Sequence, residues 1–116
     1  MAGKQQDGKE AELRALRFLQ ARSLRPVRQN YRCRGGEIDL VMRDADALVF
    51  VEVRLRRNGA YGGALASVDL RKQRRLVLAA QHYLQRHPWA GPCRFDVVGI
   101  DAQGACEWVR NAFEAG

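Results

Sequence analysis

Cysteine is scarce in this 116-residue chain: Cys33, Cys93 and Cys106 stand far apart, without a C-x-x-C pair and without histidine at ligand spacing. That excludes the usual structural zinc patterns and favours ordinary reduced thiols packed in strands. His82 and His87, the two histidines, sit apart from other ligand types and read as helix-surface or helix-end residues. No apolar run approaches the ~20 residues that span a bilayer. Residues 1–6 are polar and lack the apolar stretch of a signal peptide, so the expected location is cytoplasmic. The glycine-rich segment 56–66, with Asn58, Gly59, Gly62 and Gly63 around Tyr61, reads as a mobile loop. It lacks the lysine-ending pattern of a phosphate-cradling loop, which excludes nucleotide hydrolysis of that kind. Acid is also in short supply, with 13 Asp and Glu against 20 Lys and Arg, a net charge of +7 and a pI near 10.0.

What is present is one domain's worth of chain, residues 1–116, with a local excess of cations. Arg54, Arg56, Arg57, Arg71, Lys72, Arg74 and Arg75 lie close together in sequence, and Asp69 is the only acid between Arg54 and Arg75. A solvated basic face is the bland account of such a cluster. A polyanionic partner is the functional one.

Asp7-x-x-Glu10 has the form of a capping box and predicts a helix over 7–22, with Leu13, Leu16 and Leu19 on its apolar face. Pro26 opens an extended stretch to Cys33, and Gly35-Gly36 signals a hairpin. Two strands follow, Gly36-Glu-Ile-Asp-Leu-Val-Met and Leu48-Val-Phe-Val-Glu-Val-Arg, apolar on both faces as in central strands covered on two sides. A second helix is expected over 68–87, with Ser67 as N-cap and Leu76, Ala79, Ala80, Tyr83 and Leu84 as its stripe. Strands over 93–100 and 105–110 complete the chain. Trp89 and Trp108 read as packing residues. The order is α-β-β-β-α-β-β: an α/β fold with a central mixed five-stranded sheet flanked by helices. Its strand–helix–strand passage can be parallel and right-handed.

Asp39 and Glu52 stand inside the two central apolar strands. Carboxylates are almost never fully buried without a partner. The candidates are a divalent metal, an arginine, or each other through a shared proton. An even-numbered turn centred between Ala45 and Asp46 sets Asp39 opposite Glu52 and Glu37 opposite Arg54, all on one face. An odd turn with a bulge would separate them. Two carboxylates beside a basic side chain suit phosphodiester hydrolysis, because they can hold Mg²⁺ through oxygen while the cation meets a phosphoryl oxygen.

At these residues the chain closely resembles the YraN family of small bacterial proteins. The likeness runs through Glu12…Ala15…Phe18-Leu19, Asn30-Tyr31-Arg32-Cys33-Arg34-Gly35-Gly36-Glu37-Ile38-Asp39-Leu40 and Val49-Phe50-Val51-Glu52-Val53. It continues in Val68-Asp69…Lys72-Gln73-Arg74-Arg75, Arg94-Phe95-Asp96-Val97-Val98 and Asn111-Ala112-Phe113. That family belongs to the PD-(D/E)xK nuclease superfamily and is similar to archaeal Holliday-junction resolvases. The resemblance implies a restriction-endonuclease-like sandwich and an endonuclease-like protein acting on structured or branched DNA. It further implies one or two Mg²⁺ (or Mn²⁺) ions on Asp39, Glu52 and the Val53 carbonyl, with Glu12 auxiliary. Lys72 and Gln73 would lie on the helix flanking the site, and a homodimer would follow by analogy. Arg32, Arg34, Arg56, Arg57, Arg71, Gln73, Arg74 and Arg75 are the candidate nucleic-acid contacts.

One departure bears on catalysis: Arg54 stands where this family usually carries the catalytic lysine. Arginine keeps its proton and cannot act as a base, though it can clamp a phosphate and stabilise developing negative charge. Three readings stay open: a slow nuclease, Lys72 taking the missing role, or a site that binds without cleaving. Two rivals lie outside catalysis, a non-catalytic nucleic-acid-binding module and a basic-faced protein that meets an acidic partner. A buried ionic network without metal, Arg54 on Glu37 or Glu52 and Arg32 on Asp39, is the structural alternative.

Overall fold

The computed structural model describes residues 3–56 and 63–115. Helix α1 (Gly3–Gln20) leads into β1 (Arg25–Cys33), β2 (Gly36–Asp44) and β3 (Ala47–Leu55). After them come a short helix α2 (Gly63–Ala66), the long helix α3 (Leu70–Arg86), β4 (Cys93–Ile100) and β5 (Cys106–Phe113). The five strands form one sheet in sequential order. All neighbours are antiparallel except β3 and β4, which run parallel across the α3 crossover. This is the expected α/β architecture with a five-stranded mixed sheet, to which α2 adds one turn of helix. Residues 57–62, which include Arg57 and most of the expected loop over 56–66, lie outside the described residues.

The apolar runs explain the layers. Leu40, Met42, Val49 and Val51 pack under Ala11, Ala15, Leu16 and Leu19 of α1, while Val41 and Phe50 pack under Leu76, Ala79, Ala80 and Tyr83 of α3. Each central strand therefore buries both of its faces, which is why it reads as continuously apolar. Ile38 shares its parity with Leu40 yet joins the α3 side beside Tyr31, so the alternation breaks around Asp39.

Three local expectations are corrected. Helix α1 starts at Gly3, so Asp7 lies inside it and is not its N-cap; the residues before Asp7 are good helix formers except Gly3, and the helix runs through them. Helix α3 is capped by Asp69 rather than Ser67: the Asp69 carboxylate accepts from the Lys72 N–H at 2.9 Å. Ser67 instead donates its hydroxyl to the Ala64 carbonyl at the end of α2, and Val68 between them is buried. Strand β5 extends to Phe113, past the expected end at 110, through a register irregularity opposite Asp96 and a positive φ at Asn111.

The turn between β2 and β3 decides where the site lies. It is the two-residue Ala45-Asp46 turn, with Asp44 paired to Ala47 and Ala45 at φ 54°. The pairing continues to Leu40 opposite Val51 and stops there. Beyond that point β2 stays with β1 as far as Gly36–Cys33, and β3 stays with β4 as far as Leu55–Ile100. The sheet splits between its second and third strands, and Asp39 and Glu52 are the first residues past the split.

Candidate active site

Splitting a sheet frees backbone groups that need partners. Here the Val53 N–H, released from the β2–β3 ladder, donates to Asp39 Oδ2 at 2.8 Å. The carboxylate stands in for a strand neighbour and is thereby fixed at the mouth of the split. Helix α1 closes one side of the opening and α3 the other. Helix α3 lies directly on the backbone at the start of β2, where a Cβ on Gly36 would meet the Arg75 carbonyl oxygen at 2.1 Å. That contact requires glycine, and it brings Lys72 and Arg75 over the opening. The result is a cleft of about 820 Å³, with Glu12 from α1, Asp39 from β2, Glu52 and Arg54 from β3, and Lys72 and Arg75 from α3 on its walls. Glu37 and Val53 line it too, so the four side chains expected on one face do share one space.

The carboxyl groups in this cleft are uncomfortable. Asp39 is held well above the ordinary carboxylate range, first by burial and then by the charge of Glu52, and the Val53 N–H only partly opposes this. Glu52 is raised as well, chiefly by burial, against the pull of the Arg54 and Lys72 charges. Asp39 and Glu52 lie close enough to act on each other directly. Glu12 is pushed up to about 7 by burial and by Asp39, and Asn30 hydrogen-bonds it in opposition. Glu12, Asp39 and Glu52 thus form a chain. Among the described residues no three His, Cys, Asp or Glu converge on a single point.

The cations offset little of this. Arg54 Nη1 stands 3.7 Å from Glu52 Oε2, a loose pair, and Arg54 Nε is buried without a hydrogen-bond acceptor. Arg32 meets Glu37 rather than Asp39, at 3.6 Å and with both side chains well exposed. The buried ionic network envisaged from the sequence is therefore formed only at Arg54–Glu52, and Asp39 has no arginine partner among the described residues.

The remaining predicted contacts divide by position. Arg71, Arg74 and Arg75 are exposed on the first turns of α3, and Arg34 is exposed in the β1–β2 turn. Arg56 is committed elsewhere: its Nη1 meets Glu107 Oε1 at 2.6 Å, and the same oxygen accepts from the Ala64 N–H. Gln73 donates its side-chain amide to the Val68 carbonyl at 3.0 Å, which ties it to the helix start. Two residues of the arrangement were not singled out from the sequence. Asn30 reaches Glu12 from a left-handed backbone position at φ 54°, a conformation that its neighbours do not signal. Asp96 is fully buried, and the signal that marks Asp39 and Glu52 was equally present in its apolar strand.

Fold and site together define a small α/β domain whose sheet opens at one end on a cleft, with crowded acids inside and cations at the rim. Its sequence matches the uncharacterised protein family UPF0102 over residues 11–100, and the chain belongs to that family. It is 54% identical to the UPF0102 protein of Stutzerimonas stutzeri strain A1501 over 120 aligned residues, covering 99% of this chain and all of the relative. It is 54% identical to that of Pseudomonas fluorescens strain Pf0-1, covering 95% of this chain and 94% of the relative. For the Alcanivorax borkumensis protein the identity is 51%, over 97% and 95%. Among the described residues no helix is long and apolar enough to cross a membrane.

Proposed function

We propose that this protein is a metal-dependent, endonuclease-like protein of the PD-(D/E)xK type, acting on structured or branched DNA with Mg²⁺ or Mn²⁺. One observation carries the reading: the half-buried carboxyls of Glu12, Asp39 and Glu52 share one cleft, where burial raises all three, beside an arginine whose Nε lacks an acceptor. Carboxylates crowded without compensation are what a hard cation relieves, and an all-oxygen donor set suits Mg²⁺ or Mn²⁺. Asp39 and Glu52 would hold the ion, with the Val53 carbonyl as a third protein oxygen and Glu12 acting through Asp39. When bound, such an ion polarises a phosphoryl oxygen and lowers the pKa of a water.

The chain's own residues supply the rest. The Val53 N–H fixes the Asp39 carboxylate in orientation. Arg54 offers its unsatisfied guanidinium edge to a phosphate oxygen and stabilises the charge that develops there. It cannot deprotonate water, so proton acceptance falls to the acid chain or to Lys72, whose charge already acts on Glu52. Lys72 and Arg75 orient the flanking phosphates.

The test is cleavage of branched and linear DNA in Mg²⁺ or Mn²⁺ by the wild type, Asp39→Ala and Glu52→Ala. Each substitution should lower the rate by about a hundredfold or more, the scale of losing a charge-stabilising group at a reacting centre. Equal cleavage by all three proteins would end the reading. The second reading is a nucleic-acid-binding module without cleavage, favoured by arginine at the position of the lysine. It predicts salt-sensitive binding that is indifferent to divalent ions.

A further inference from the structure

The last residues of α1's exit turn and the first edge strand carry a second basic feature outside the cleft. Residues 22–34 contain Arg22, Arg25, Arg28, Arg32 and Arg34, with no acid and no lysine. Strand β1 is an edge of the sheet, and Arg25, Arg28, Arg32 and Arg34 are all exposed. Arg43 of β2 is paired directly with Arg25. Like charges directly opposite in a sheet are destabilising, and among the described residues no carboxylate pairs with Arg25 or Arg43. Among the described residues only Arg32 of this set meets a carboxylate, the exposed Glu37. The nearby Asp44 is occupied by Arg94 and Arg110.

Three of the guanidinium groups nonetheless lie against aromatic faces rather than acids. Arg22 stands 3.7 Å from the Phe18 ring centroid, Arg28 is 5.2 Å from that of Tyr31, and Arg43 is 5.1 Å from that of Trp89. Arg22 also donates Nη1 to the Phe18 carbonyl at 3.2 Å and Arg43 donates Nε to the Ala45 carbonyl at 3.0 Å, so ring contact and one backbone bond hold each plane while its other N–H groups face outward. The nine residues of β1 extend over about 30 Å at the usual strand rise. The strand ends where Arg32 and Cys33 face Glu37 and Gly36, beside the cleft.

We infer that the β1 edge is a phosphate-tracking surface for duplex nucleic acid, which lays about nine base pairs along the edge from Arg22, Arg25, Arg28 and Arg43 at its far end to Arg32 and Arg34 beside the cleft. The strip deepens the nucleic-acid reading but does not depend on cleavage. Charge on an edge strand also guards against edge-to-edge aggregation. One or two cations would serve that purpose; an acid-free row with aromatic backing suits an extended polyanion.

The experiment measures binding in EDTA, so that chemistry is absent, by fluorescence anisotropy over a salt series. The probes are duplexes of about 8 and about 30 base pairs. The triple variant Arg22→Ala/Arg25→Ala/Arg28→Ala should bind the long duplex about tenfold or more weakly. Its slope of log affinity against log salt should be shallower by about two to three. The corresponding triple lysine variant should keep most of the slope, which separates lost charge from lost folding. Unchanged affinity and slope in the alanine variant would overturn the inference. So would aggregation of that variant with binding intact, or wild-type binding to an acidic polypeptide but not to duplex. Absence of cleavage in Mg²⁺ with this binding pattern intact would defeat the nuclease reading alone.

Discussion

Two acidic centres in this sheet, one fully buried and one half-buried, have opposite electrostatic fates. Asp96 on β4 has no exposed surface, yet every demand it makes is met. Arg94 donates Nε to Oδ1 at 3.0 Å and Nη2 to Oδ2 at 3.2 Å, and Trp108 donates Nε1 to Oδ2 at 2.9 Å. The Asn111 N–H, freed by the irregularity in β5, donates to Oδ1 at 2.9 Å. Arg94 goes on to Asp44, which also holds Arg110. In the cleft, Asp39 receives one backbone N–H and then faces the acids Glu52, Glu37 and Glu12. The contrast separates two uses of a buried carboxylate. One neutralised by the chain's own groups fastens the fold, here pinning β5 to β4. One left short of cations inside a cleft is, on the function proposed above, the place for a cation from outside.

The sharpest way to break this contrast is to remove one negative charge from each centre. Asp96→Asn should destabilise the protein by about 3–5 kcal/mol, the range for leaving a buried partner unpaired, as read by urea unfolding. Asp39→Asn, which keeps an acceptor for the Val53 N–H, should cost less than about 1 kcal/mol at neutral pH. The sign follows from proton linkage. A carboxyl whose folded pKa is raised binds more protons in the folded than in the unfolded state, between the two values. Its contribution is therefore fully present below the unfolded value and lost as pH rises through the folded one. Asp39→Asn should then gain on the wild type as pH climbs out of the carboxylate range. Comparable losses in the two variants would erase the distinction between the centres.

A smaller effect is expected from Arg54→Lys, which changes the cation and leaves the acids in place. If the cleft is an attenuated nuclease, lysine can shed its proton where arginine cannot. The cleavage rate in Mg²⁺ should then rise, by about tenfold or more on the scale of general base catalysis. No change would assign the proton transfer to Lys72 or mark the site as one that only binds.

Much of this arrangement was legible in the sequence, for identifiable reasons. The apolar runs around Asp39 and Glu52 set two central strands and left two registers open, and the two-residue turn at Ala45-Asp46 selects the even one, because side chains alternate by two along a strand. Their placement in a split of the sheet was not legible, since the end of pairing at Leu40–Val51 depends on where α1 and α3 pack. Helix ends fared worse. Asp7 and Ser67 both have capping chemistry, but upstream helix formers absorbed the first, and burial of Val68 moved the second cap to Asp69. Asp96 is the instructive omission. It sits in an apolar strand as Asp39 does, and only the three-dimensional gathering of Arg94, Trp108 and Asn111 around it shows that its charge is already answered.

The claim on which the account rests is that the cleft acids take up a divalent cation. Isothermal titration of the metal-free protein with Mg²⁺, repeated with Mn²⁺ at about pH 6 and about pH 8, tests it most directly, because ligands that hold protons must release them to bind metal. The account predicts saturable binding that releases protons and tightens with pH as Glu12 (at about 7) and its neighbours ionise, and that is lost in Asp39→Asn/Glu52→Gln. Absence of binding at either pH, or binding undiminished in that double variant, would contradict it.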